Sequence, residues 1–356
     1  MKRKGIVLAL AVLAAGGVQA QDSGRSGDSE LTLAEVDALT HRLDMMPEIY
    51  GQLGLVMEHR DTDGAGGSET AFRDSNSWIG VRNRTELMPG TEGFLRAEWT
   101  SIPTATDEGG DRMFDEHVEY AYIGLEGDFG RIWGGVDDTV YEQQLDHVAN
   151  FFEGEYRNED GGLDTRRHLF GPYTTGRDRL VQYTTPSWGN FRLHGAVQLN
   201  EDGSPEVGND GEKESRPYQT VLSYTPGNWE WALGMDSNDG GGDTTQEMAN
   251  ENTYGGRMTY EGERWQLTAQ YQHRKDVASV AALLTSYRIG PNRFSISWER
   301  ERNELEPETE TTNAYTAQAM HDLTESMAVY VEGYKASSDE RTKDKFDLMV
   351  GANYRF

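Results

Sequence analysis

The last eleven residues, Phe346 to Phe356, alternate strictly. Phe346, Leu348, Val350, Ala352, Tyr354 and Phe356 share one parity, and Asp347, Met349, Gly351, Asn353 and Arg355 share the other. Successive side chains of a strand point to opposite faces, so this segment has one apolar and one mostly polar face. The same period of two runs from Ile49 to Glu58, Phe191 to Asn200, Trp229 to Asp236 and Arg264 to Gln272. Each run approaches the roughly 9–11 residues that a tilted strand needs to cross a bilayer. Trp and Tyr recur near the segment ends, where a bilayer interface would hold them. An apolar edge at the end of a chain invites aggregation unless the sheet closes on itself. The pattern therefore predicts a closed barrel, its apolar face toward lipid and its polar face toward a water-filled lumen.

The breaks between segments also alternate. Short turns are expected at 88–90, 127–130, 186–190, 226–228, 261–263, 290–292 and 322–326. Longer polar stretches lie at 60–75, 101–115, 137–177, 200–216, 236–252, 302–312 and 335–345, with a short one near 275–277. Seven turns and eight loops separate sixteen strands, so the fold class is all-β, a 16-stranded antiparallel transmembrane β-barrel spanning residues 48–356. Short turns on one side and long loops on the other suit an outer-membrane barrel. Residues 278–289 are the least clear strand, because Ala278 to Leu284 is nearly continuously apolar.

The segment before the barrel reads differently. Residues 1–20 carry Lys2, Arg3 and Lys4, an apolar stretch from Ile6 to Ala15, and Val18-Gln19-Ala20, the layout of a cleaved secretory signal. Residues 21–47 form an N-terminal polar segment and a short amphipathic helix, in which Val36, Leu39, Leu43 and Met46 keep helical spacing until Pro47. That helix could rest on the barrel rim or join protomers as a small coiled coil.

Composition narrows the function. The chain has 356 residues and no Cys, which excludes disulfides and thiolate metal sites. Its net charge of −28, from 61 acidic and 33 basic residues, argues against nucleic acid as a partner. The acid excess fits surface solvation or a lumen that attracts cations. After residue 20 no apolar run approaches the roughly 18 residues of a spanning helix. The eight His are scattered without metal-ligand spacing. Asp61-Thr62-Asp63-Gly64 and Asn238-Asp239-Gly240 are similar to calcium loops but lack the later ligands. No cofactor is expected.

Several stretches resemble one family, the trimeric general porins of Gram-negative bacteria, of the kind found in Neisseria and its proteobacterial relatives. They are Ser77-Trp78-Ile79-Gly80-Val81-Arg82, Gly124-Leu125-Glu126-Gly127-Asp128-Phe129-Gly130, Val181-Gln182-Tyr183-Thr184-Thr185-Pro186, and Asp322 through Tyr330. The closing Phe356 is similar to the family's last residue, an address for barrel insertion. The resemblance implies an outer-membrane location, a homotrimer in outer-membrane lipid, and passive diffusion of small hydrophilic solutes and ions. It also implies that the third long loop, 137–177, folds inward and narrows the lumen. Two departures remove positive charge from the expected pore wall: Trp78 stands where a basic residue is common, and Glu119 takes another such position.

Loop 137–177 carries Glu142, Asp146, Glu153, Glu155, Glu159, Asp160 and Asp164 among Phe151, Phe152, Tyr156, Phe170 and Tyr173. The expectation is that the aromatics pack against the inner wall while the acids, with Glu119, border the open path. Arg82, Arg84, Arg96, Arg177 and Arg179 would form the opposite, basic wall. Such a transverse field filters solutes by charge and dipole, and with the two departures it predicts mild cation preference. Two rivals are a barrel enzyme of the lipase or protease type, with His194 as its best base, and a secreted β-sandwich binding protein.

Overall fold

The computed structural model describes residues 46–62, 67–75, 77–100, 118–148, 151–153, 177, 179–199, 217–237, 251–304, 310–339 and 344–356. The expected signal, and the helix but for Met46 and Pro47, lie outside them. The described chain forms one antiparallel sheet. Its strands are β1 (Glu48–Thr62), β2 (Gly67–Asp74), β3 (Trp78–Met88), β4 (Thr91–Thr100), β5 (Val118–Gly127) and β6 (Gly130–Val136). A short helix, α1 (Val140–Leu145), follows, then β7 (Leu180–Thr184), β8 (Phe191–Gln198), β9 (Tyr218–Tyr224), β10 (Trp229–Asp236) and β11 (Thr253–Glu261). The circuit ends with β12 (Trp265–Arg274), β13 (Ala278–Ile289), β14 (Asn292–Asn303), β15 (Glu310–Asp322), β16 (Met327–Ser338) and β17 (Lys345–Arg355).

From β3 onward each strand pairs with its neighbours in sequence, and β1 pairs with β17 from Gln52↔Arg355 to Thr62↔Lys345. Phe356 extends the seam: its N–H and carbonyl bond to the carbonyl and N–H of Gly51 at 3.1 and 3.0 Å. Closure leaves no open sheet edge among the described strands. The seventeen segments make sixteen staves, because β2 and β3 pair with successive parts of β1. The break between them is a bulge over Gly54, whose carbonyl accepts from Ser75 N–H at 3.0 Å and whose N–H donates to Ser77 Oγ at 2.9 Å. A Cβ on Gly54 would lie 1.9 Å from the Ser75 carbonyl oxygen, so only glycine fits there.

The apolar parity faces outward. Leu53, Leu55, Met57, Ile123, Leu233, Ile296, Leu348 and Val350 are exposed, while Gln52, Glu58, Gln270, Glu332 and Asp347 are buried on the inner face. Two recesses, of about 490 and 460 Å³, open on the outer face and are lined mainly by apolar atoms. Cross-strand aromatic pairs ring the short-turn end: Phe191–Tyr224 at 4.3 Å, Trp229–Tyr260 at 5.0 Å and Trp265–Tyr287 at 4.3 Å between centroids. This is the girdle expected at a membrane interface.

All seven short turns fall where the sequence places them, and β13 is a regular twelve-residue strand. Several loops are shorter than expected. Residues 60–75 are mostly ladder, with only 63–66 between β1 and β2, and β14, β15 and β16 extend into 302–312 and 335–345. There the strands are polar on both faces, so alternation fades although the backbone pairing continues. Cross-strand contacts such as Arg73 Nε–Glu58 at 3.2 Å and His59–Thr70 at 2.8 Å hold this part together.

Candidate functional site

Beyond β6 the chain turns inward. The Asp137 N–H donates to the Arg177 carbonyl at 3.0 Å, closing the root of the loop. The Asp137 carboxylate accepts from Trp133 Nε1 at 2.7 Å, Gln143 Nε2 at 3.2 Å and Gln182 Nε2 at 3.3 Å. Thr139 caps α1, its hydroxyl accepting from Glu142 N–H at 3.2 Å.

The helix lies flat on the wall. Tyr141 and Leu145 pack on Val221 and Ala232, and all four are buried. Two wall glycines make room: a Cβ at Gly255 would meet the Tyr141 hydroxyl at 2.3 Å, and one at Gly234 would meet Leu145 at 2.7 Å.

Wall glutamines satisfy the loop's backbone donors. Gln182 Oε1 accepts from Val140 N–H at 2.8 Å, Gln219 Oε1 from Tyr141 N–H at 3.0 Å and Gln270 Oε1 from Val148 N–H at 3.2 Å. Gln272 donates to Asp146, and Arg257 Nε donates to the Gln144 carbonyl at 2.5 Å. Farther along, Phe152 packs with Ala282 and Leu284, and Arg293 stacks 4.8 Å from the Phe151 ring centroid. Glu153 then reaches the far side: its N–H donates to Glu332 at 3.1 Å, and its carboxylate accepts from Asn353 at 2.6 Å and lies 3.6 Å from Arg355. The described part of the loop thus follows the inner wall from β7 to β17.

Along β1 and β3–β6 the inner face is charged and aromatic. Arg82 meets Glu48 at 2.7 Å and covers the Tyr50 ring at 4.6 Å. Arg84 bridges Glu92 at 2.6 Å and Glu126 at 2.9 Å. Arg96 donates to Glu98 at 2.6 Å and stacks on Tyr120 at 4.1 Å. Arg131 lies 4.4 Å from the Phe94 centroid and 4.7 Å from that of Trp133. At the loop root Arg177 holds Glu119 at 2.6 Å and Asp138 at 2.5 Å.

A closed sixteen-stave barrel with a polar inner face and a third long loop folded across it is a pore architecture, and the comparisons agree. A family model described as Gram-negative porin matches residues 7–341. The chain belongs to the Gram-negative porin family. Two curated relatives, a "Monosaccharide porin" from a Halomonas species and the "Major outer membrane protein" of Halomonas elongata, are each 24% identical over 63% of this chain. Those matches span 58% of the relatives' own length. Among solved structures, an anion-selective porin from Comamonas acidovorans has a TM-score of 0.69 at 15% identity, covering 87% of this chain and 99% of that one. OmpF of Salmonella typhi, in complex with daunomycin, gives 0.64 at 16%, covering 87% and 97%. The trimer form of OmpT from Vibrio cholerae gives 0.61 at 11%, covering 87% and 99%. At such identities these three structures speak to the fold alone. Membership of the family places this porin in the outer membrane.

The expected acids of the porin's loop occupy different settings. Glu142 is half-buried beside Asp138 and Arg177, and burial, reinforced by Asp138, pushes its carboxyl up to about 7. Burial likewise raises Asp137 to about 6. Asp146 departs from the expectation: it is fully buried against Gln272 rather than bordering an open path, and burial lifts its carboxyl well above the usual range. Glu153 is turned to the wall by Asn353 and Arg355. Glu155, Glu159, Asp160, Asp164, Tyr156, Phe170 and Tyr173 lie outside the described residues.

The basic residues are not a bare positive wall. Arg82, Arg84, Arg96 and Arg177 each carry a carboxylate of their own, and Glu119 is the partner of Arg177. Arg179 precedes β7 with a left-handed backbone, φ 55°. Phe356 is exposed at the seam. His194 sits between Thr184 Oγ1 and Ser223 Oγ, each 2.9 Å away, a brace across three strands with hydroxyl partners rather than an orienting carboxylate. Among the described residues no group of three or more His or acidic side chains is disposed to hold a metal ion.

The sequence reading passed over Gln182, Gln219, Gln270 and Gln272, and also Arg131 and Tyr50. The available signal was glutamine recurring at inward parity in neighbouring strands, which alone reads as ordinary lumenal polarity.

Proposed function

We propose that this porin is a passive channel rather than an enzyme, letting small hydrophilic solutes and ions cross the outer membrane as a homotrimer. The observation that carries the reading is the inward loop, docked from β7 to β17 within a polar-lined barrel. The described part of the loop is held against the β7–β17 side, and the charged inner face of β1 and β3–β6 is read as lining the path. The Halomonas relative's name supports counting sugars among the solutes, and the trimer form of the Vibrio cholerae neighbour supports the assembly.

Mild cation preference follows from the loop root, where Glu119, Asp138 and Glu142 surround the guanidinium of Arg177, while Arg96, on the same Tyr120 ring, is paired with Glu98. Excess carboxylate at a narrow point raises the local cation concentration. Reconstitution of the purified protein in a planar bilayer tests the reading. Stepwise conductance grouped in threes is expected; no conductance at all would refute the channel, and steps without that grouping would refute the homotrimer. Reversal potentials in a salt gradient test the preference, and clear anion selectivity would overturn that part alone.

A further inference from the structure

The arginine–aromatic wall has a use beyond shaping the field. Its short-turn half holds Arg82, Arg84 and Arg131 with Glu48, Glu92 and Glu126, so cations and anions balance. Arg82, Arg84 and the three glutamates are more than a third exposed. The rings beneath them are nearly covered: Phe94 is 7% and Trp133 5% exposed. Contacts of Arg84 and Arg131 with Phe94, of Arg131 with Trp133 and of Arg82 with Tyr50 hold the guanidinium groups in place and leave ionised donors and acceptors as the accessible surface.

Arg131 completes the arrangement. It is partly accessible and lies against the rings of Phe94 and Trp133, 4.4 and 4.7 Å from their centroids, yet among the described residues its guanidinium has no hydrogen-bond or ion-pair partner. Its cross-strand neighbour Glu126 is committed to Arg84 at 2.9 Å. A planar donor group without a polar partner among the described residues therefore stands beside an acceptor-rich pair on the lumenal face of β4–β6.

We propose that this patch is a low-affinity binding site for neutral polyhydroxylated solutes of monosaccharide size. Vicinal hydroxyls can accept from Arg131 and donate to Glu126 or Glu92 at once, and hydrogen bonds to charged groups are the stronger kind. A neutral solute brings no charge to desolvate. An anion would gain Arg131 but meet two glutamates, and a cation would meet the reverse. The proposal rests on the channel reading and names a site within it.

The test is current block by D-glucose in planar bilayers containing the full-length protein, corrected for bulk conductivity and normalised to each variant's own open current. The native channel shows saturable block. In Arg131→Gln, half-saturation rises about tenfold, the loss of one charged hydrogen bond. Arg84→Gln gives a similar rise, and Glu325→Gln, on the turn before β16, gives none. The site is refuted if native block is linear in glucose, if both arginine variants keep the native half-saturation, or if gluconate blocks at lower concentration than glucose. A complete lack of conductance would instead refute the channel reading.

Discussion

Along β1 and β3–β6 the lumenal side chains are charged, stacked on rings and partly wet. Along β7–β17 many are glutamines and other buried polar groups, and there the loop is docked. The two walls meet different demands. Exposed ion pairs contribute little stability and are screened by salt, but they present charge to a passing solute. Amide-to-backbone hydrogen bonds inside a dry contact carry no net charge and are costly to leave unmade. The wall that holds the described part of the loop therefore leans on glutamine, helped by Arg257, Arg293 and Glu332, and the opposite wall presents exposed arginine and glutamate.

That contrast can be broken most severely at the docking wall. Replacing Gln219, Gln270 and Gln272 by Ala removes partners of Tyr141, Val148 and Asp146 at an expected cost of about 1 kcal/mol each. The loop should leave the wall, and single-channel conductance should change by a large factor and become noisy. Gly255→Leu should do the same by pushing on Tyr141. Conductance that stays quiet and native-like in both variants would mean that the glutamines and the glycine do not position the loop.

An intermediate effect is expected from pH. Burial raises Glu142 to about 7 and Asp137 to about 6, so the docked loop binds protons more tightly than an unfolded one. Docking is then weakest above the raised values and strengthens as pH falls through them toward the ordinary carboxylate range. Neutralised acids also attract fewer cations. Reversal potentials should therefore show cation preference declining from about pH 8 to pH 5, and Glu142→Gln should remove the upper part of that decline. Preference that grows on acidification would contradict this assignment.

The smallest effect on stability belongs to the charged wall. Arg84→Gln breaks half-exposed pairs and should change resistance to thermal unfolding by less than about 1 kcal/mol. Raising salt from roughly 0.1 to 1 M shortens the screening length from about 10 to 3 Å and should suppress ion preference without releasing the loop. Loop release by salt alone would erase the distinction between the walls.

Much of this molecule could be read along the chain because its decisive period is local. Alternation of Phe346, Leu348 and Val350 with Asp347 and Met349 assigns faces without reference to any other strand. Pro89-Gly90, Pro226-Gly227 and Gly290-Pro291 mark turns by their own backbone preferences. From these follow the stave count, the membrane and the seam. Where both faces are polar, as at 67–74, the local signal ends although the ladder does not.

The partnerships were decided by closure and register. Arg84 reaches Glu126 because β3, β4 and β5 are neighbours in a fixed stagger, and nothing within 42 residues of chain announces the pair. Gln272 meets Asp146 only because a loop leaving β6 crosses to β12. The burial of Asp146 follows from that crossing as well, since an acid in a polar loop carries no sequence mark of the surface it will be pressed against. The alternation chose which side each residue faces, and three-dimensional packing chose what each would find there.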